Sequence, residues 1–260
     1  MNDASMGKGF ESSRDSQMKE DIRNLTGEIL RSCEKSMYYR DPIIGYADAK
    51  DPLYEKLDDI IGNKQMRPDE MLSGAATVIV IFVPYSRMIL EDVRNHWLTS
   101  VVYSDAYMVT NELLGQISAG IIQYLKERNY RGVSDPPTEN FDYSTKTACW
   151  SHKSSAVISG IGTFGLNHLL VTSKGCMGRM TSVVTDAVFS PTERSGHAYC
   201  LYYQKGTCRV CVQNCPSGAL REDGTIDKWR CDSYLEGKNV RDTEQGCPQC
   251  QSGPCAMRGF

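Results

Sequence analysis

Apolar residues recur at three- and four-residue intervals from Gln17 onward. Met18, Ile22, Leu25, Ile29 and Leu30 mark one face of an amphipathic helix. A longer helix is predicted between Ser104 and Arg128, where Val109, Leu113, Leu114, Ile117, Ile121, Ile122 and Leu125 share a side. Between these two the pattern changes. The run AATVIVIFVPY (75–85) is continuous and β-branched, as expected of a strand buried on both faces inside a sheet. A short helix is expected at 52–61, after a turn-rich stretch at 41–51. Beyond the polar loop VSDPPTENFDYST, a helix is expected from about Lys146 to Ser159, stopping at Gly160. Strands follow at 168–172 and 181–189, and then a link containing Pro191, Ser195 and Gly196. These elements predict an α/β (α+β) layered core over 17–195. Residues 1–16, rich in Ser, Gly, Asp and Lys without periodicity, read as a disordered tail, and 196–260 read as a separate module.

Composition narrows the function. With 260 residues, 40% of them hydrophobic, the chain can bury one substantial core and carry a smaller appendage. A net charge of −3 gives no electrostatic footprint for DNA or an anionic membrane surface. The longest apolar run, 78–83, is cut by Pro84 and is far too short to cross a bilayer. The opening MNDASMGKGFESSRDSQ has neither the apolar centre of a secretory signal nor a twin-arginine pair. The expected location is therefore the cytoplasm, a reducing compartment in which clustered cysteines hold metal rather than form disulfides.

The cysteines are the strongest chemical signal. Of eleven, eight crowd the last sixty or so residues in two groups of four. The first is Cys200, Cys208, Cys211 and Cys215, ending in CRVCVQNCP, and the second is Cys231, Cys247, Cys250 and Cys255, ending in CPQCQSGPC. A cubane cluster needs four converging thiolates, and in two-cluster ferredoxins the fourth cysteine of each run serves the opposite cluster. This assigns Cys200, Cys208, Cys211 and Cys255 to one 4Fe-4S cluster, and Cys231, Cys247, Cys250 and Cys215 to the other. Seven residues separate Cys200 from Cys208, and fifteen separate Cys231 from Cys247, so two of the loops are wider than in that run. Zinc also accepts CxxC pairs, but CxxxCP followed by SGAL is a ferredoxin trait without a zinc rationale. Cys176 reads as an ordinary buried thiol.

Just before this module, Gly160, Gly162 and Gly165 form GxGxxG with Asp186 some twenty residues later. A dinucleotide site needs a strand before the glycines and a helix after them, and here the order is reversed. The run WSHKSSAVISGIGTFGLNHLLVTSKGCMGRMTSVVTD followed by CxxxCP resembles the epoxyqueuosine reductases and the related reductive dehalogenases. The matching pieces are His152 and Lys153 on the helix, GIGTFGLN, LLVT, Gly175 and Gly178 with Arg179, and VVTD. With the 75–85 strand and the long helix, the likeness covers most of 70–260.

The resemblance implies a nitroreductase-like core holding cobalamin beside a two-cluster ferredoxin-like module, with electrons supplied by a ferredoxin or flavodoxin. It implies cofactor contacts from Gly160, Gly162, Gly165, Asn167, Gly175 and Arg179, whose backbone and amide groups would meet a large macrocycle. The family's acidic proton donor falls in DYSTKTACWSHK, where Asp142 is offset and Lys146 is nearer by count. Candidates for moving a proton to a small or nucleoside-like substrate are Asp142, Tyr143, His152 and Lys153, with Asp105 and Tyr107 before them. The rival reading is a non-catalytic electron-transfer protein that reduces a partner's corrinoid or another redox centre.

Overall fold

The computed structural model describes residues 4–97, 100–135, 141–237 and 246–260, with side chains from residue 13. In chain order the elements are α1 (Ala4–Ser32), β1 (Ile43–Asp48), α2 (Pro52–Glu55), α3 (Leu57–Ile61), α4 (Pro68–Met71), β2 (Thr77–Pro84), α5 (Arg87–His96) and α6 (Val101–Lys126). Then come β3 (Gly132–Val133), β4 (Phe141–Asp142), β5 (Thr147–Ala148), α7 (His152–Ile158), β6 (Gly162–Phe164), β7 (Leu170–Thr172) and β8 (Gly178–Thr185). The cysteine-rich end adds α8 (Leu201–Lys205), α9 (Val210–Gln213) and α10 (Lys228–Gly237).

The central sheet runs β1-β2-β8-β3, with every pairing antiparallel. Strand β2 is buried at every position, and the period-2 alternation of a strand splits its side chains between two cores. Ile79, Ile81 and Val83 join Leu114, Ile117 and Ile121 of α6 and Ile22 of α1 on one face. Val78, Val80 and Phe82 join Trp150, Ala156, Ile158 and Tyr54 on the other. Each such buried side chain contributes about 1.5–3 kcal/mol, so the helix, sheet and helix layers hold together through β2. Ser118 and Thr181 share a buried hydroxyl hydrogen bond of 2.9 Å where α6 crosses β8.

Several elements differ from the sequence reading. The first helix starts at Ala4, so residues 4–16, expected as tail, are helical; Lys19 pairs with Asp15 at 3.0 Å one turn apart, and residues 1–3 lie outside the described residues. The stretch 41–51, expected as turns, contains edge strand β1. Its Gly45 hid the strand pattern, yet only glycine fits, because a Cβ there would lie 2.2 Å from Ile161 and 2.9 Å from the Ser159 carbonyl. The helix expected from Lys146 begins at His152, because Lys146 takes φ +54° and Thr147 and Ala148 pair with β4. Residues 136–140 of the preceding loop lie outside the described residues. The strand expected at 168–172 starts at Leu170, since His168 has φ +57°. The strand expected at 181–189 ends at Thr185, and Asp186 turns to pair with Arg131 at 2.7 Å.

The link near residue 191 is strapped to the core: Thr192 exchanges hydrogen bonds with the Tyr46 backbone at 2.8 and 3.0 Å. The final residues return to the core as well. Cys176 N donates to Cys255 O (2.9 Å) and Met177 N to Ala256 O (3.1 Å). The Arg40 guanidinium gathers the carbonyls of Tyr85, Lys174 and Met257.

Candidate metal centre

Cys200 caps α8, Cys211 lies in α9 and Cys231 in α10. Cys200, Cys208, Cys211 and Cys255 line one cavity, with Leu166, Pro254 and Phe260 closing it. Burial pushes the Cys211 thiol up to about 12, and its neighbours Cys255, Cys200 and Cys208 add to the rise. Cys247 is pushed up to about 11, by burial first and then by Cys231 and Cys215. Cys250 rises through burial together with Cys247, Cys231, Cys211 and Cys215. The thiols thus crowd one another as 200/208/211/255 and 215/231/247/250, with Cys250 and Cys211 the bridge between the sets.

Crowded thiols resist losing protons because thiolates repel, and iron removes that obstacle by supplying positive charge. At Cys215 burial opposes ionisation, but the Ser217 hydroxyl and the backbone amides of Leu220, Ala219 and Ser217 outweigh it, so its pKa falls. Gln249, between Cys247 and Cys250, is buried with both amide atoms unpartnered, which leaves a donor suited to an acceptor such as a cluster sulfide. Among the described residues no three His, Cys, Asp or Glu side chains close on a point as a single ion requires.

Cys176 and Asn167 stand between the sets. The Asn167 amide donates to Cys250 O (2.9 Å) and to Cys176 Sγ (3.8 Å), and Cys176 Sγ lies 3.7 Å from Cys255 Sγ. The Asn167 side chain thus ties the loop to the cysteine module. The signal for this in the sequence was slight, an Asn and a Cys flanking LLVT. The glycines expected to admit a cofactor are filled by the chain itself. A Cβ at Gly160 would lie 2.8 Å from Glu193 O, at Gly162 2.5 Å from Val171 O, at Gly165 2.7 Å from the Asn167 side chain, and at Gly175 2.3 Å from Ala256 O. Helix α7 enters the glycine loop and the β6–β7 hairpin leaves it, the reverse of a dinucleotide site.

A different set of groups gathers around the first half of β8, Arg179 beside α6 and His152 on α7. Arg179 lies over the Tyr107 ring at 3.8 Å, and its Nε is buried without a hydrogen-bond partner. His152 Nδ1 bonds Ser182 Oγ (2.8 Å), which also accepts from Trp150 Nε1 (2.9 Å). Its Nε2 is buried and makes no hydrogen bond of normal length. Burial pushes the His152 pKa down to about 4, against an opposing pull from the Asp135 backbone, so the ring is neutral at pH 7. Lys153 is reachable by solvent but closely walled. Lost hydration lowers its ammonium pKa, Lys228 adds to the effect and Cys250 opposes it.

The β4–β5 hairpin carries the remaining candidates. The Asp142 carboxylate accepts from Ser144 N and Oγ (2.7 and 2.6 Å) and Thr145 Oγ1 (2.9 Å), bonds that hold it ionised, so it anchors the turn and is a poor proton donor. Tyr143 is exposed, edge-on to Phe141. Lys146 is buried against Asp232 of α10, beside the Trp229 and Tyr143 rings. Asp105 is engaged by Tyr38 (2.7 Å) and Lys35 (3.2 Å).

No protein-family model matches the chain. Its curated relatives include an epoxyqueuosine reductase of Cyclobacterium marinum, 27% identical over 177 residues, which cover 66% of this chain and 52% of the relative. One of Bacillus anthracis is 23% identical over 180 residues, 66% of this chain and 43% of the relative. Among solved structures, an epoxyqueuosine reductase with an epoxyqueuosine-modified tRNA stem loop aligns over 95% of this chain and 67% of that one, with 21% identity and a TM-score of 0.58. A reductive dehalogenase whose structure suggests a mechanism for B12-dependent dehalogenation aligns over 74% of this chain and 27% of that one, with 14% identity and a TM-score of 0.52.

The layered helix and sheet fold is thus the one shared by epoxyqueuosine reductases and reductive dehalogenases. In sequence, the chain is a distant relative of the epoxyqueuosine reductases, and it spans about half the length of the curated relatives it matches. Among the described residues no helix is long and apolar enough to cross a membrane.

Proposed function

We propose that this chain is an iron-sulfur oxidoreductase that passes low-potential electrons through two 4Fe-4S clusters to a cobalamin at which a small or nucleoside-like substrate is reduced. The observation that carries the reading is the cavity lined by the Cys200, Cys208, Cys211 and Cys255 thiols, with Cys250 beside it crowded by Cys247, Cys231 and Cys215. Cys200, Cys208, Cys211 and Cys255 hold one cluster, and Cys215, Cys231, Cys247 and Cys250 hold the other. The names of the relatives support a reductase. The division into a core over 17–195 and a ferredoxin-like module over 196–260 belongs to this reading, as do a ferredoxin or flavodoxin donor and a cytoplasmic setting.

Arg179 Nε and His152 Nε2 are buried polar atoms without partners, which suits a ligand with amide arms. Cobalamin, when bound, would supply a nucleophilic, electron-rich metal centre. Lys153 supplies the proton, since its lowered pKa brings it closer to neutrality and it lies within electrostatic reach of Cys250. His152, neutral and held by Ser182, orients the ligand.

Anaerobic purification with added cobalamin, followed by iron, sulfide and cobalt analysis, tests the reading. About eight irons and one cobalt per chain are expected. Iron without cobalt would favour a pure electron-transfer protein, and zinc without iron would overturn the proposal.

A further inference from the structure

A surface cavity of about 330 Å³ lies between α5 and residues 253–258, with Leu90, Ala256 and Met257 among its apolar lining and Arg87, Arg94 and Arg258 as its charged groups. Among the described residues no acidic side chain lines it. Arg94 donates to Ser252 O at 2.8 and 3.1 Å, which fixes one guanidinium at the rim. Arg87 pairs at 3.2 Å with exposed Glu91, outside the lining, and Arg258 lies 4.9 Å from the Phe260 ring.

Position gives this patch its meaning. Gly253 and Pro254 line this cavity and also the one formed by Cys200, Cys208, Cys211 and Cys255, so a single thin wall separates the arginines from that thiol set. An electron that arrives at the arginine cavity therefore meets the set of Cys200, Cys208, Cys211 and Cys255 directly behind its wall.

We infer that the cavity bearing Arg87, Arg94 and Arg258 is the docking face for an acidic electron-carrier protein. The inference rests on the cluster reading proposed above. The apolar floor gives contact area, and the three guanidinium groups, of which Arg87 is partly offset by Glu91, steer an anionic partner to the wall beside the first cluster. The step moves one electron: the carrier's reduced centre loses it, the cluster held by Cys200, Cys208, Cys211 and Cys255 gains it, and no bond forms or breaks. A nucleic acid would also answer to arginines, but the shared wall with a thiol set favours a redox partner.

The test uses the reconstituted two-cluster protein mixed in a stopped-flow instrument with a reduced plant-type 2Fe-2S ferredoxin, an acidic protein with its own visible spectrum. In the Arg87→Glu/Arg258→Glu double variant the second-order rate at low salt should fall by about tenfold or more, within the range electrostatic steering provides. The wild type should slow at about 1 M salt, where screening shortens to about 3 Å, while the variant's rate changes little. Dithionite should reduce both proteins equally fast. Equal ferredoxin rates for variant and wild type would overturn the inference. So would a variant whose only loss is affinity for a tRNA stem loop. The Arg87→Gln/Arg258→Gln pair repeats the measurement if charge reversal lowers the iron content. A wild type that dithionite cannot bleach would instead sink the cluster reading itself.

Discussion

Cys176 and Cys255 hold their sulfurs 3.7 Å apart, and the Cys176 amide donates to the Cys255 carbonyl at 2.9 Å. The S–H of Cys176 stabilises the thiolate of Cys255, so the Cys176 pKa rises well above the ordinary value while that of Cys255 falls. A thiol from the core thus supports a sulfur of the module. The consequence is electrochemical, because a hydrogen bond to a ligand sulfur favours the more negative, reduced cluster.

Cys176→Ala should therefore lower the midpoint potential of one cluster and leave the other unchanged. A hydrogen bond of about 0.5–1.5 kcal/mol corresponds to roughly 20–60 mV for one electron. A redox titration followed by EPR reads the shift. Unchanged potentials at full iron content would rule out the contact as a tuning element.

Gly175 has φ +90°, and a Cβ there would lie 2.3 Å from Ala256 O and 2.6 Å from Arg258 N. Gly175→Ala must push away the segment that carries Cys255. Iron should drop from about eight per chain to about four, and urea unfolding should show a loss of about 1–3 kcal/mol.

His152 makes stability depend on pH. Its pKa in the folded protein is about 4, below the ordinary value near 6.5, so below pH 6.5 the unfolded chain takes up the proton more readily. Stability present above pH 6.5 is lost as the pH falls towards 4, by about 3 kcal/mol at most. His152→Phe should flatten that part of the curve, as measured by denaturant unfolding from pH 7 to pH 4.5.

Lys146 and Asp232 form an ion pair with side chains only 9% and 19% exposed, and it clasps the β4–β5 hairpin to the helix carrying Cys231. Removing one partner leaves a charge in a poorly hydrated place, so Lys146→Ala should cost about 3 kcal/mol. The double variant with Asp232→Ala should cost less than the sum of the single changes, a coupling read from a thermodynamic cycle.

The layered core was legible where one face or both faces are apolar without interruption. The alternation within 78–83 and the α6 stripe needed only burial to declare themselves. Strand β1 was hidden because Gly45 and Ala47 look like turn residues until Ile161 and Ser159 pass over them. Lys146 broke an expected helix because its left-handed backbone answers to Asp232, eighty-six positions away. Spacing alone suggested the two cysteine sets, since CxxC and CxxxCP are local geometry. The support from Cys176 and Asn167 was only faintly signalled, because it arises when residues 255–260 fold back onto 173–177. At Gly160, Gly162 and Gly175 the missing side chains also make room for the chain's own carbonyls.

The central claim is the sorting of eight thiols into two clusters, and single serine substitutions with iron counts and reduced-state EPR spectra test it most directly. Cys200→Ser, Cys208→Ser, Cys211→Ser and Cys255→Ser should each leave about four irons and one common EPR signal. Cys215→Ser, Cys231→Ser, Cys247→Ser and Cys250→Ser should leave about four irons and a different one. Variants from the two sets sharing one residual signal, or a wild type that binds zinc and no iron, would contradict the account.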